Sequence, residues 1–136
     1  TNAKVDLTND AVAGNAGATG AGAGPEASAL VTKTVNPGTT TVFTLVTNNT
    51  GPSPDSYNLA ASTDSTFSGL TLPAGWTVTF KADNSGAGAA CSVMGANIIN
   101  TGSVAAGGSA RVCAVVTVPA LARPEWQMEI AVVTVA

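Results

Sequence analysis

The sequence predicts an all-β fold, an antiparallel sandwich of about seven to nine strands preceded by an extended Gly/Ala-rich arm. Three observations carry this. Pro- or Gly-bearing turns recur roughly every ten residues. Short runs of period two lie between them, the cleanest being Trp76-Thr77-Val78-Thr79-Phe80. No helical stretch with caps occurs.

The elements follow in order. Ala3-Lys4-Val5-Asp6-Leu7 alternates and predicts a short strand. Residues 11–24 are low-complexity Gly/Ala without charge, and Pro25 ends them. Such composition reads as a linker, or as a segment laid closely along a sheet or a neighbour. Ala27 to Val35 resumes strand character, and Pro37-Gly38 turns the chain. In the strand that follows, Phe43, Leu45 and Thr47 share one face, with Phe43 and Leu45 expected in the core. Asn48-Asn49-Thr50-Gly51-Pro52 breaks it. Tyr57 and Leu59 then point together, and Thr66 to Leu72 is a further apolar segment. Pro73-Ala74-Gly75 turns into a strand with Trp76, Val78 and Phe80 on one face. Ala82 to Gly88 reads as a loop. Cys91 to Met94 and Ile98 to Val104 are short strand candidates. Ala106-Gly107-Gly108 turns into the Val-rich run Ser109 to Val118, and Trp126 to Val135 reads as the last strand. This order of short strands and turns predicts an immunoglobulin-like sandwich over residues 26–136, with residues 1–25 as an arm outside it.

Composition bounds the function. A chain of 136 residues fits one domain. Aromatics are 4%, so Val, Leu, Ile and Ala must build the core. Charged residues are 10%, against about 25% in an average soluble protein. The surface is then Thr, Ser and Asn, which repels copies of itself weakly and suits dense packing in an array or filament; an ordinary secreted domain of low charge is the alternative. Net charge is −3, and Lys4, Lys33, Lys81, Arg111 and Arg123 are scattered. That excludes the clustered cations nucleic-acid binding requires. No stretch approaches the ~20 apolar residues of a spanning helix. With no initiator Met or signal peptide, a processed or excised chain is expected.

Cys91 and Cys113 stand 22 positions apart, with no close Cys-x-x-Cys pair and no His to complete a zinc shell. A disulfide is expected, in an oxidising compartment; two buried reduced thiols are the alternative. The lack of His also removes the commonest general base and the Ser-His-Asp and Cys-His arrangements. No Walker-type loop occurs, because no Lys-Ser/Thr follows the spaced glycines. The carboxylates Asp6, Asp10, Glu26, Asp55, Asp64, Asp83, Glu125 and Glu129 are scattered rather than paired. No catalytic residue, cofactor or resident metal is therefore assigned. Calcium is the one cation considered, through Asp83-Asn84-Ser85 or Asp55 with Asp64; Asx turns are the competing explanation. Asn48-Asn49-Thr50 is a glycosylation sequon. Trp126 is either core or an exposed anchor.

The segment from Asn36 to Pro119 resembles the bacterial conserved-repeat domains found, often in tandem, in cell-surface proteins. The resemblance rests on Asn36-Pro37-Gly38-Thr39-Thr40, on Phe43-Thr44-Leu45-Val46-Thr47-Asn48-Asn49-Thr50-Gly51-Pro52-Ser53, on Leu72-Pro73-Ala74-Gly75-Trp76 and on Thr101 to Ser109. It implies an immunoglobulin-like module of an envelope, surface-layer or adhesin protein, with no active site to carry over.

The expectation is thus a non-enzymatic structural protein of the cell surface. Its partners would be copies of itself or adjacent immunoglobulin-like domains, joined by strand addition into a surface layer, filament or pilus. Val5 and Leu7 of the arm are the expected plugs, with Val132, Val133 and Val135 of the last strand as the other donor. A non-catalytic carbohydrate- or protein-binding adhesin module is the alternative, and it would expose aromatics on one face.

Overall fold

The computed structural model describes residues 5–9, 35–49, 51–62, 69, 71–85, 91–120 and 129–133. Among these the chain is all-β, with no helix. The strands are β1 (Val5–Asn9), β2 (Thr40–Asn49), β3 (Asn58–Ser62), β4 (Thr77–Asp83), β5 (Met94–Asn97), β6 (Ser109–Thr117) and β7 (Glu129–Val133). One antiparallel sheet runs β1-β2-β6-β4-β5, and β3 pairs antiparallel with β7. The expected strand Ala27 to Val35 and the segment Thr66 to Leu72 lie largely outside the described residues.

Period two decides which side chains enter the core. Phe43, Ala114 and Phe80 are register partners across β2, β6 and β4, as are Leu45, Val112 and Ala82. Leu45, Phe80, Val112 and Ala114 are buried with Ala61 of β3, and Phe43, Leu59, Leu72, Val78 and Ile98 pack against them. Residues of both sheets therefore share one core. The expected inward faces of Phe43 with Leu45 and of Val78 with Phe80 are found. Trp76 instead closes a turn ahead of β4, its N–H bonding Pro73 O at 3.1 Å.

Turn chemistry sets one end of the sheet. Asn36 to Thr39 and Pro73 to Trp76 are type II turns, with Gly38 at φ 77° and Gly75 at φ 85° in the third position. Gly38 N–H bonds Val118 O at 3.0 Å, and a Cβ on Gly75 would stand 2.7 Å from Pro119 Cβ. Both turns thus close on the end of β6.

Residues 97–104 pass from one sheet to the other. Asn97 pairs with Lys81 of β4, and Ile98 N–H bonds Phe80 O at 2.8 Å. One residue later the partner changes: Ile99 O accepts from Leu59 N–H at 2.9 Å. Thr101 N–H then reaches Tyr57 O at 2.9 Å, and Val104 forms a bridge with Asp55. Tyr57 is fully buried; that burial, and secondarily the Asp55 charge, push its phenol pKa up.

Candidate functional site

β1 is the outermost strand beside β2. Its register is Val5↔Asn49, Asp6↔Asn48, Leu7↔Thr47, Thr8↔Val46 and Asn9↔Leu45. Residues 10–39 separate the two strands, so this pairing joins segments distant in sequence. The five residues of β2 that β1 covers are all buried, including the polar Thr47, Asn48 and Asn49. A strand solvated on one face would show only alternate residues buried.

Asn49 closes this edge. The residue is 1% exposed. Nδ2 donates to Ser53 O and to Val104 O, each at 2.9 Å, while Oδ1 accepts from Gly51 N–H at 2.9 Å. Its backbone bonds Gly108 O at 2.8 Å and Gly107 N–H at 2.9 Å. One amide thus ties the end of β2 to the turn after it and to the 99–104 crossing, with each buried polar atom satisfied.

A second polar cluster lies on the opposite face of the sheet. Cys91 and Cys113 form a disulfide, with Cα atoms 5.8 Å apart, and Thr44 Oγ1 sits 3.4 Å from Cys91 Sγ. Arg111 Nε donates to Asp83 Oδ2. Ser85 N–H reaches Asp83 Oδ1 at 2.8 Å and Cys91 N–H reaches Oδ2 at 3.1 Å. The Asp83 side chain is fully buried and that of Arg111 is 18% exposed. Burial alone would raise the Asp83 pKa; hydrogen bonds from Ser85, from the Cys91 N–H and from Arg111 outweigh it and hold the carboxyl below its ordinary value. The cluster clamps the return from β4 to β5 against β6, with Cys91 in the left-handed region at φ 52°.

The expected site residues divide accordingly. Val5 and Leu7 stand opposite Asn49 and Thr47 within the chain's own sheet. The strand carrying them is the outer strand of that sheet, beside β2. Val132 and Val133 stand opposite Leu59 and Asn58 on β7, and Val135 lies outside the described residues. Cys91 and Cys113 pair as expected. Asn48, the sequon residue, is 9% exposed, paired with Ser109 at the end of the β2–β6 ladder, and that burial weighs against a glycan. Of the calcium candidates, Asp83 is engaged by Arg111 and Asp55 Oδ1 accepts from Ser56 N–H at 2.8 Å, while Asp64 lies outside the described residues. Asp83, Cys91 and Cys113 bring ligand-type atoms within 4.8 Å of one another, but the sulfurs are joined to each other and the carboxylate is charge-paired. Trp126 also lies outside the described residues. Among those described, the exposed large apolar side chains are Val93, Met94 and Ile99, none aromatic.

Sequence reasoning missed Asn49 and the Asp83–Arg111 pair. Asn49 carried a signal only as a turn former. The pair joins residues 28 apart with no local pattern to link them. No protein-family model, curated protein or solved structure matches this chain.

Proposed function

We propose that this chain is a structural module of the cell surface, an immunoglobulin-like β-sandwich of seven to nine strands that builds an extracellular layer or filament by strand addition between copies. The observation that carries the reading is β1: a short strand, far in sequence from its partner, that joins the sheet at its edge. Burial of Ala61 of β3 with residues of the larger sheet, and the packing of Leu59 against them, support the sandwich. The disulfide supports an oxidising, extracellular setting. The sparsely charged surface supports close packing of copies. Removing residues 1–25 tests the reading. The truncated protein carries no β1 to donate, and is expected to lose the assembly that the full chain shows by sedimentation. Assembly of the truncated protein at the full chain's rate would refute the role of the arm.

A further inference from the structure

We infer that the outer edge of β2, Leu45–Asn49, accepts β1 from a second copy of this chain, in the register that the copy's own β1 otherwise holds. This rests on the structural-subunit reading and adds the acceptor and its control. The five backbone pairs of the β1–β2 ladder are indifferent to which chain supplies β1. Thirty residues, 10–39, connect the two strands. Their maximal reach of about 100 Å permits pairing within one molecule or between two.

Vacancy is the costly state. Leu45–Asn49 is buried throughout, and removing β1 strands backbone donors and acceptors along a run that also holds Thr47 and Asn49. The edge is therefore filled from one source or the other, and assembly is an exchange rather than an addition to an open edge. Tethering in one chain gives the intramolecular strand an effective concentration on the order of millimolar. Dilute protein then stays self-capped, and crowding of copies on a surface favours exchange. The opposite edge of the sheet is poorly suited to this role. β5 has four residues and a register shift against β4, features that blunt an edge against pairing.

Paired cysteines test the exchange. Leu7 and Thr47 are register partners, and such Cα separations of about 4.5–5.5 Å lie in disulfide range. Thr47 faces away from Cys113, so the native disulfide is not beside it. Two versions of Leu7→Cys/Thr47→Cys differing in a size tag are mixed and oxidised. Dilute protein is expected to close the 7–47 bond within each molecule, and concentrated protein to give mixed-tag covalent ladders joined at 7–47 by peptide mapping. Protein locked in dilution is expected to lose assembly at least tenfold against the single-cysteine variants. Thr8→Cys/Val46→Cys repeats the test should the first pair not fold. If locked protein assembles like the unlocked, exchange at β2 is wrong, while assembly through another strand such as β7 stands. If dilute protein forms no 7–47 or 8–46 bond, the pairing itself is wrong. If no version assembles at any concentration, both the exchange and the subunit reading fall.

Discussion

Replacing Asn49 by Asp changes one atom group and inverts the chemistry of a buried site. Nδ2 of Asn49 now donates to Ser53 O and Val104 O, each at 2.9 Å, and the residue is 1% exposed. In the variant a carboxylate oxygen faces two carbonyl oxygens. Two hydrogen bonds at about 1 kcal/mol each are lost, and the stranded, buried acceptors add about 1–3 kcal/mol more. The expected destabilisation at pH 7 is about 3–5 kcal/mol, a large share of the 5–15 kcal/mol typical of a domain. Urea unfolding measures it as a midpoint lowered by roughly 2 M at unchanged slope. The sign with pH is equally specific. Burial and the two facing carbonyls raise the folded-state pKa of the new carboxyl, and its protonated form can donate one bond again. The deficit therefore shrinks as pH falls through that raised value. Asn49→Ala removes the same donor without adding a charge, and its deficit shows no such recovery. A midpoint for Asn49→Asp within about 0.3 M of wild type at pH 7 would refute the assignment of Asn49 as the tie between β2, the turn and the crossing.

Cys91→Ala/Cys113→Ala opens a loop set by a separation of 22 residues, and the chain-entropy treatment expects a loss of about 3 kcal/mol, read as a melting temperature lowered by on the order of 10 °C. Asp83→Asn leaves the Arg111 guanidinium without its counter-charge, and urea unfolding is expected to show a loss of about 3 kcal/mol at pH 7. Because the folded-state pKa of Asp83 is depressed, its contribution is present above the ordinary carboxylate value and lost as pH falls through the lower folded one; wild type and Asp83→Asn should therefore converge in acid. Gly75→Ala sets a methyl 2.7 Å from Pro119 Cβ at a positive φ, whereas Gly102→Ala at φ 74° meets open space; thermal melts should show the first costing about 1–2 kcal/mol more than the second.

What the sequence disclosed were features written in adjacent residues. Phe43 with Leu45 and Val78 with Phe80 declared their faces through alternation, because a strand's period is two whatever it pairs with. Pro37-Gly38 and Pro73-Ala74-Gly75 declared turns, because Pro and Gly punctuate the chain; their type is set by the positive φ of Gly38 and Gly75 in the structure. Long-range choices were not written there. Val5 to Asn9 reads as a strand, but nothing in it names Leu45–Asn49 as its partner across 30 residues. Asp83 looked like the start of a turn, yet β4 runs through it because Arg111 and the disulfide hold that end down. Asn49 was legible as a turn former but not as a hub, since three of its partners, Val104, Gly107 and Gly108, arrive from far along the chain.

The Cys91–Cys113 bond also shapes how the molecule would bear tension. Pulled from its two ends, the polypeptide transmits load across the sulfur bridge, and the segment between the two cysteines, 22 positions apart, is shielded from stretching. About 75 Å of contour is withheld from extension in this way. A tether of such modules would lengthen less under stress than its residue count suggests, and would surrender that reserve of slack only to a reductant.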